Sequence, residues 1–496
     1  MNRINLQVRS RLFTCRANFR QFLHFLLGSL VFAVVFVTVT MRLMSIFIAL
    51  LVEVAWSIPS TPYNFTQFDD HFSASQSQFN QRYYTNTTSF KGPGSPILCI
   101  MGGEASIPPE VGILYPSVIL LADRLGAAII QPEHRFFGTS FPTTSSGVNG
   151  LSLLTPYQAL ADTATFIEGM RALFKCSGRN GEPRCPVITV GGSYPSWLAA
   201  MMRVRYPAVV DMAYAASAPM GFYSQAVDQY AYYKIVTDSA ERASPGCADA
   251  VRGVMSQTLA SADKDAISVG LNLCTPLPPY LEAGDGKLLR DEVSMVFMYT
   301  FADLNMANWP PPNTQLKAAC DLMIASASAG TDAYTTLNTF LAGFSLQKSD
   351  SATSSSNCYN LSAQLPGGAN ATITSGDWSG VGSGADGESW DLETCQYLVE
   401  QIGTNNKTDM FLPRQWTIDW LREHCQRRFG LTPQPRTLPD EWGFDAATLP
   451  SVTSRIVFTN GLNDGWSAGG ILTNLSDTLI VFNMPKGAHH SDLSHT

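Results

Sequence analysis

The sequence predicts an α/β fold, and three short apolar runs carry this prediction. Residues 187–190 lead into a glycine-rich turn that contains Ser193, and the helix-like segment 197–202 follows. Residues 456–458 and 479–482 are each followed by a polar loop. Short apolar runs that end in turns are typical of buried parallel strands, and their alternation with helical segments is typical of α/β proteins.

The turn after the first of these runs reads Gly-Gly-Ser-Tyr-Pro over residues 191–195. A strand, a sharp turn bearing a serine and a helix together form a nucleophile elbow, which exposes the serine hydroxyl at the end of the strand. The helix N-terminus offers backbone N–H groups to a developing oxyanion. A plain strand-to-helix turn fits equally well, because Pro195 stands where the G-x-S-x-G pattern has its last glycine.

An acid and a histidine pair follow the other two runs. Asp464 lies in the loop after residues 456–458, and His489 and His490 lie in the loop after residues 479–482. The order Ser, Asp, His is that of α/β-hydrolases. The other five histidines stand in less suitable places, in the N-terminal apolar segment, before the serine, in a polar helix-like stretch or at the chain end: His24, His71, His134, His424 and His495. We therefore expect an α/β-hydrolase in which His489 or His490 is the base.

The chain resembles a known family, the serine carboxypeptidases that include lysosomal Pro-X carboxypeptidase, dipeptidyl peptidase II and thymus-specific serine protease. The resemblance covers roughly residues 60–493. Its motifs lie at residues 67–72, 79–83, 102–104, 133–138, 154–155, 158–162, 191–194, 460–470 and 487–490. It implies that Ser193 is the nucleophile, Asp464 the orienting acid and His489, the first histidine of the pair, the base.

The chain departs from the family pattern at four places. Pro195 and Ser196 replace two small residues, Gly465 replaces a proline, and Tyr157 replaces an acidic residue. None of these changes removes a catalytic group. The pattern also continues after residue 493 with a basic residue and a long closing helix, which this sequence lacks. We therefore expect one face of the sheet to be open and the protein to be poorly stable, unless the natural chain is longer.

Two oxyanion donors are expected near Ser193. The first is the backbone N–H of Tyr194, the residue after the nucleophile. The second is expected from the loop after an apolar run at residues 97–101, close to Gly103. The segment 133–135 (Glu-His-Arg) favours a buried polar network that braces loops over a catalytic set, and Trp466 favours core packing over a substrate platform.

Composition fits an exported enzyme of the kind that the resemblance implies. The chain has 496 residues, of which 45% are hydrophobic, and a formal net charge of −8. That length exceeds one ordinary domain, and the charge argues against a nucleic-acid partner. No CxxC pair or His/Cys cluster occurs in the sequence, so we expect neither a metal site nor a cofactor. A homodimer is left open.

Cysteines and glycosylation signals indicate the secretory pathway. Six Asn-x-Ser/Thr sites occur, at Asn64, Asn86, Asn360, Asn370, Asn406 and Asn474. Of ten cysteines, eight remain once Cys15 and Cys99 are set aside, which suggests disulfides in an oxidising compartment. The family resemblance implies the pairs Cys395 with Cys425, Cys247 with Cys320 and Cys274 with Cys358, and leaves Cys176 with Cys185. A lysosome-like compartment or secretion is expected.

Residues 1–57 form an N-terminal leader. Five arginines precede an apolar stretch at residues 22–41, which is long enough at about 20 residues to span a bilayer. A second, complete export signal begins at Met41 and favours cleavage before Ile58. We favour Met41 as the true start. The alternative is a genuine signal anchor, and the protein would contact a membrane only through that uncleaved segment.

The remaining chain divides into three parts. Residues 58–220 and 442–496 are expected to form the hydrolase core, and residues 221–441 a large, mostly helical cap insertion. Helix-like segments in this insertion lie at residues 225–237, 287–301 and 391–402. Residues 351–383 are rich in Ser, Gly, Asn and Ala, which predicts an exposed glycosylated loop or a disordered linker.

These features together predict a serine exopeptidase that hydrolyses short peptides. By resemblance it cleaves after proline and releases either a C-terminal residue or an N-terminal dipeptide, because the family's helical cap restricts the site to chain ends. Two alternatives remain: an inactive relative that acts as an interaction protein, and an esterase or lipase on the same fold.

Overall fold

An eight-stranded, mostly parallel sheet lies at the centre of the structure, a computed structural model that describes residues 61–142, 148–259, 263–272, 287–344 and 385–494. The strands are β1 (Tyr63–Phe68), β2 (Gln78–Asn86), β3 (Ile97–Ile100), β4 (Ala128–Pro132), β5 (Val187–Gly192), β6 (Met212–Ala216), β7 (Ile456–Gly461) and β8 (Leu479–Met484). Their order is β1-β2-β4-β3-β5-β6-β7-β8. Only the β1/β2 and β2/β4 pairs are antiparallel.

Helices cover both faces of the sheet. They are α1 (Pro116–Leu125), α2 (Pro156–Leu173), α3 (Tyr194–Arg205), α4 (Met220–Tyr223), α5 (Ala231–Ala243), α6 (Cys247–Leu259), α7 (Lys264–Gly270), α8 (Lys287–Met306), α9 (Gln315–Ala329), α10 (Ala333–Phe344), α11 (Ala385–Gln396), α12 (Ile418–Phe429), α13 (Thr437–Trp442), α14 (Leu449–Val452) and α15 (Ser491–Ser494). Along β3, Ile97 and Cys99 face one core, whereas Leu98 and Ile100 face the other. This alternation explains why the strand reads as a continuous apolar run.

The predicted α/β-hydrolase fold is confirmed. Each apolar run that predicted a strand forms one, and β5, β7 and β8 all extend beyond the predicted segments. The helix-like segment 197–202 lies inside α3. Because β5, β6, β7 and β8 run parallel, the loops that follow them emerge at the same edge of the sheet.

The described residues between β6 and β7 contain helices and no strand, but five boundaries of the three predicted helices differ, including the end of α5 at Ala243 instead of residue 237 and the start of α11 at Ala385 instead of residue 391. Helix α5 begins at Ala231 instead of residue 225, because Asp228 accepts the Tyr230 N–H in a turn before it. Helix α8 continues five residues past residue 301 to Met306. Helix α11 ends at Gln396, and residues 397–402 leave the helix path.

Three disulfides connect described residues. Cys176 pairs with Cys185, Cys247 joins α6 to Cys320 on α9, and Cys395 joins α11 to Cys425 on α12. The expected partners Cys274 and Cys358 lie outside the described residues. Cys99 is a buried free thiol. The disulfides agree with an oxidising compartment.

The glycosylation candidates differ in accessibility. Asn64 and Asn474 are exposed, Asn86 and Asn406 are half-buried, and Asn360 and Asn370 lie outside the described residues. The leader at residues 1–57 also lies outside them. None of the helices that the structure describes combines the length and the apolar character needed to cross a membrane.

Candidate active site

Ser193 occupies a strained turn between β5 and α3. Its backbone has φ 65° and ψ −135°, a region that residues other than glycine rarely adopt. The chain crosses itself closely here, since a Cβ atom at Gly191 would lie 2.2 Å from the Pro195 carbonyl oxygen. The Ser193 N–H donates to the Ala216 carbonyl at 3.0 Å, which ties the turn to β6. This is the geometry of a nucleophile elbow.

Asp464 and His489 lie in contact after the neighbouring strands β7 and β8. His489 Nδ1 lies 2.6 Å from Asp464 Oδ2, and the Asp464 side chain is fully buried. The other carboxylate oxygen accepts the Trp466 N–H at 3.0 Å. Because a carboxylate only accepts, the proton of this contact belongs to Nδ1, which leaves Nε2 of the neutral ring as the proton acceptor. The carboxylate therefore sets the tautomer that a general base needs.

The histidine loop packs against the serine turn. A Cβ atom at Gly192 would lie 2.7 Å from Cγ of His490, so the His490 ring rests on the backbone next to Ser193. Within the described part of the chain, no hydrogen bond joins the Ser193 hydroxyl to the His489 ring. Such bonds often tighten only when substrate is bound. The structure thus brings the three candidates to one edge of the sheet with the acid–histidine contact formed.

His490 differs from His489 in its surroundings. Burial lowers the pKa of His490 to about 3, and the charge of His489 lowers it further. Its ring Nδ1 is buried without a partner, and its backbone N–H donates to Ser217 Oγ at 2.9 Å. A neutral, buried ring with no acidic partner is suited to packing, which is consistent with His489 as the better base candidate.

The two candidate oxyanion donors lie beside the elbow. Tyr194 is the first residue of α3, where backbone N–H groups lack partners within the helix. A Cβ atom at Gly103 would lie 2.5 Å from Cγ of Pro195, so the loop after β3 meets the first turn of α3. Glycine permits this close approach because a side chain would collide there.

Helix α8 supports the acid from a distant part of the chain. Asn305 Nδ2 donates to the Asn463 carbonyl at 2.6 Å, and Asn305 Oδ1 accepts the Gly465 N–H at 2.9 Å. The His489 backbone N–H donates to the Met306 carbonyl at 3.2 Å. One amide side chain therefore holds the loop on both sides of the acid. No sequence signal indicated Asn305, because its partners lie 158 and 160 positions away.

The segment 133–135 forms the buried network that the sequence favoured. Arg135 makes two bonds of 2.6 Å to Asp162, and Glu133 accepts the Thr139 N–H at 3.0 Å. His134 also reaches the site, since its Nε2 lies 3.1 Å from the Tyr194 hydroxyl. The network thus braces the elbow as well as the loops.

A pocket of about 140 Å³ is lined by Met306, whose carbonyl accepts the His489 N–H, and by Trp466, whose ring centroid lies 6.4 Å from that of His489. Aromatic, methionine and acidic side chains dominate its wall, which comprises Tyr232, Tyr233, Met295, Met298, Tyr299, Ala302, Asp303, Met306, Asp391, Thr394, Glu400, Ile402, Arg414, Trp416, Trp420, Leu421 and Trp466. Trp466 packs on Phe222 with ring centroids 5.2 Å apart and also lines the pocket. The prediction of core packing for Trp466 therefore describes its contact with Phe222 but not its place in the pocket wall.

Asp391, Cys395 and His424 cluster behind this pocket, with candidate ligand atoms within 4.8 Å of one another. The Cys395 sulfur is committed to its disulfide with Cys425. Asp391 lies 2.6 Å from the Arg428 guanidinium and 3.0 Å from His424 Nε2. The cluster is therefore explained as an ion pair beside a disulfide.

Acidic groups around the site favour their neutral forms. Burial, with a smaller contribution from nearby Glu104, raises the pKa of Glu393 and of Glu400 to about 8. Burial raises the pKa of Asp303 to about 7. Burial also raises the pKa of Glu104, against the effects of a backbone hydrogen bond and the charge of His489. The site therefore concentrates carboxyl groups that hold protons near neutral pH.

We expect the free energy of unfolding to fall as pH rises from about 6.5 to about 8. Folded Asp303, Glu393 and Glu400 keep protons up to a pH of about 7 or 8, whereas their ordinary pKa values are 3.8, 4.5 and 4.5. The folded state thus binds more protons in this window. Its extra stability is fully present below the unfolded pKa values and is lost as pH rises through the folded ones, at up to about 1.4 kcal/mol per pH unit and group.

Denaturant unfolding over a series of pH values measures this effect. The Glu400→Gln variant should show a shallower fall, and Glu388→Gln, which changes an exposed residue of α11, should follow the wild type. His134 and His490, whose pKa values are lowered from 6.5 to about 4 and about 3, make stability rise with pH, but this opposing effect ends as pH passes 6.5, at the acidic edge of the window. A free energy of unfolding that stays level or rises over the window would contradict the neutral state of these carboxyl groups.

The chain is similar to proteins of known activity over most of its length. The sequence profile of the family described as Serine carboxypeptidase S28 matches residues 67–496. Lysosomal Pro-X carboxypeptidase from Pongo abelii is 29% identical over 465 residues, which cover 88% of this chain and 85% of that protein. Prolyl carboxy peptidase like protein 5 from Caenorhabditis elegans is 29% identical over 442 residues, covering 84% and 81%. Proline iminopeptidase from Mycobacterium smegmatis, a solved structure, covers 87% of this chain and 93% of its own at 12% identity and a TM-score of 0.34.

Proposed function

The chain belongs to the serine carboxypeptidase S28 family and is a serine-type peptidase, and from this premise we propose that it is an exopeptidase that cleaves short peptides after proline. The name of its Pongo abelii relative, lysosomal Pro-X carboxypeptidase, supports the proline preference. The observation that carries the proposal is the 2.6 Å contact of Asp464 with His489, placed at the same sheet edge as the strained Ser193.

In the proposed mechanism, His489 Nε2 takes the Ser193 proton while Oγ attacks the scissile carbonyl carbon. Asp464 holds the imidazole orientation and stabilises the imidazolium. The backbone N–H groups of Tyr194 and Gly103 receive the oxyanion. The imidazolium then protonates the leaving amine, and a water molecule deprotonated by His489 hydrolyses the acyl-enzyme, which restores the Ser193 hydroxyl.

The helices of residues 221–441 are proposed to form a cap over this site. Helix α8 supplies Asn305 to the acid loop, and α11 supplies Glu393 to the elbow, so the insertion takes part in building the site. A site closed by such helices admits chain ends more readily than folded loops, which supports an exopeptidase over an endopeptidase.

One observation favours release of N-terminal dipeptides as the mode of cleavage. The pocket beside His489 carries Asp303 and Glu400, which form no ion pair within the described part of the chain. Carboxyl groups of this kind ionise next to a peptide's free amine and pair with it. Arg414 also lines the pocket, and its guanidinium lies 4.8 Å from the Trp420 ring centroid. Release of a C-terminal residue would instead use this cation.

The three disulfides support entry into the secretory pathway. The word lysosomal in the name of the Pongo abelii relative supports a lysosome-like compartment as the destination, with secretion as the alternative. Glycosylation belongs to the same proposal, and membrane attachment belongs to it only for a chain whose residues 1–57 stay uncleaved. The loss of protons from buried carboxyl groups above neutral pH also favours an acidic working compartment.

Peptides blocked at one end or the other test the proposal. Fluorophosphonate labelling of one sample of the full chain counts the active serines, and a second, unlabelled sample is incubated with proline-containing peptides that carry either an acetylated N-terminus or an amidated C-terminus. Mass spectrometry of the products should show cleavage after proline. If the C-terminally amidated peptide is cleaved and the N-terminally acetylated peptide is not, the protein is a dipeptidyl peptidase. The reverse result identifies a carboxypeptidase. Fluorophosphonate labelling with hydrolysis of esters alone would support the esterase alternative.

A further inference from the structure

A hydrogen-bonded chain of three buried side chains connects helix α11 to the elbow. The Tyr194 hydroxyl lies 3.0 Å from Glu393 Oε1 and 3.1 Å from His134 Nε2. His134 Nδ1 lies 2.7 Å from the Arg135 carbonyl oxygen. Glu393 and Tyr194 are each only 1% exposed, so water does not complete these contacts.

The direction of each hydrogen bond follows from counting protons. A carbonyl oxygen only accepts, so His134 Nδ1 carries a proton and donates it to Arg135. Burial lowers the pKa of His134 to about 4, so the ring is neutral and its Nε2 has no proton. The hydroxyl of Tyr194 must then donate to Nε2. Its single proton is used there, so the contact with Glu393 is complete only if Glu393 donates.

The surroundings of Glu393 agree with a protonated carboxyl group. Its second oxygen, Oε2, is buried with no hydrogen-bond partner, which an ionised carboxylate tolerates poorly. The titratable groups that face Glu393 are Tyr194, His134, Glu104 on the loop after β3 and Tyr223 on α4. No cation acts on Glu393 within the described part of the chain. Burial raises the pKa of Glu393 to about 8, against the lowering effect of the hydrogen bond with Tyr194 and with a smaller contribution from Glu104.

We propose that Glu393 is a positioning residue. As a neutral acid it donates to the Tyr194 hydroxyl in the hydrogen-bonded series Glu393–Tyr194–His134, which holds the Tyr194 side chain and so fixes the Tyr194 backbone N–H next to the nucleophile. This inference rests on the proposed function. A carboxylic acid kept neutral by its surroundings is an effective hydrogen-bond donor in an active site. If the proton shifts through Tyr194 to His134, the three groups still share the same single extra proton.

Helix α11 is well placed for this role, because it also binds the two loops beside the elbow. Asp386 accepts the Ser106 N–H at 3.2 Å and the Gly138 N–H at 3.1 Å. Ser389 Oγ donates to the Phe136 carbonyl at 3.0 Å. Glu393 extends these contacts to the residue after the nucleophile. Loss of the shared proton leaves Tyr194 with two acceptors and one proton, so one contact must break.

The pH dependence of kcat tests the proposal. In the wild type we expect kcat to fall above a pH of about 8. The Glu393→Gln variant keeps a donor that does not titrate, so the fall should vanish or begin at least about one pH unit higher, with kcat near the wild-type value below it. Glu393→Ala should lower kcat by about fivefold to tenfold across the pH range. An alkaline fall that is unchanged in Glu393→Gln would overturn the proposal.

Two variants separate Glu393 from other acids. Glu388→Gln changes an exposed residue of the same helix, and its pH profile should match the wild type. Glu400→Gln removes the other carboxyl group whose pKa is raised to about 8; as a proposed partner of the substrate amine it should change KM, whereas the alkaline fall of kcat at saturating substrate should stay in place. If the fall moves in Glu400→Gln and stays in Glu393→Gln, the role assigned to Glu393 is wrong.

A measurement without turnover separates this proposal from the proposed function. Infrared difference spectra of the full chain between acidic and alkaline pH should show carboxylic-acid C=O absorption that is lost near pH 8, and the component due to Glu393 should be missing in Glu393→Gln while the component due to Glu400 remains. Detection of the Glu393 component in a protein that hydrolyses no peptide would leave the neutral acid standing while refuting the peptidase. An active peptidase without this component would refute the neutral acid alone.

Discussion

The Ser193→Ala variant should lose peptide hydrolysis by about 10⁴-fold to 10⁶-fold in kcat, and it should no longer react with a fluorophosphonate. The hydroxyl is the atom that attacks the carbonyl, and no other group at the elbow can replace it. The variant should still fold, because the turn is held by backbone contacts, including the Ser193 N–H bond to Ala216. Peptide turnover and fluorophosphonate labelling measure the loss, and circular dichroism checks the fold.

Ser451→Ala is the matched control for this experiment. Ser451 is exposed on the short helix α14, away from the elbow, and its hydroxyl bonds only to the neighbouring Thr448 carbonyl. This variant should keep wild-type turnover and labelling. Undiminished hydrolysis by Ser193→Ala would refute the assignment of Ser193 as the nucleophile.

The His489→Ala variant should lose about 10⁴-fold or more in kcat, because the general base and the leaving-group acid are the same ring. His489 alone of the pair contacts Asp464, at 2.6 Å, so only its ring has the tautomer set by a carboxylate. The assay is peptide turnover at saturating substrate, so that the change is read in kcat and not in KM.

His490→Ala provides the comparison. This ring is buried against Gly192, so its removal should lower the free energy of unfolding. Expressed as a free energy, the accompanying loss of kcat in the folded protein should be smaller. Both variants are therefore compared by unfolding and by turnover per mole of folded protein. A dead His490→Ala beside an active His489→Ala would exchange the roles of the two histidines.

Local patterns accounted for the strands and turns that carry the candidate triad. The run at residues 187–190 and the turn after it formed β5 and the elbow at Ser193. The apolar runs before Asp464 and His489 formed adjacent parallel strands, and so placed both loops at one edge. Where helix-like segments lacked a clear start or stop, as around residues 225 and 402, the predicted helix bounds were wrong.

The sequence did not predict the contacts that support the candidate triad from distant parts of the chain. Asn305 lies 160 positions from Gly465, and Glu393 lies 199 positions from Tyr194. Neither residue belongs to a recognisable motif, and each gains its role only from the helix face that meets the site. The position of Trp466 in the pocket wall could not be predicted either, because an aromatic residue in a sequence indicates core packing whether or not a pocket lies next to it.

The sequence by itself determined the fold class, the order of Ser193, Asp464 and His489 along the chain and the residue types available for acyl transfer. These features depend on periodicity and turn chemistry, which act over a few residues. The tertiary structure decided which histidine meets the acid, which helices contact the site and where a buried carboxyl group holds its proton. Those outcomes depend on burial and on contacts between distant segments, because desolvation and hydrogen-bond partners exist only once the chain has packed.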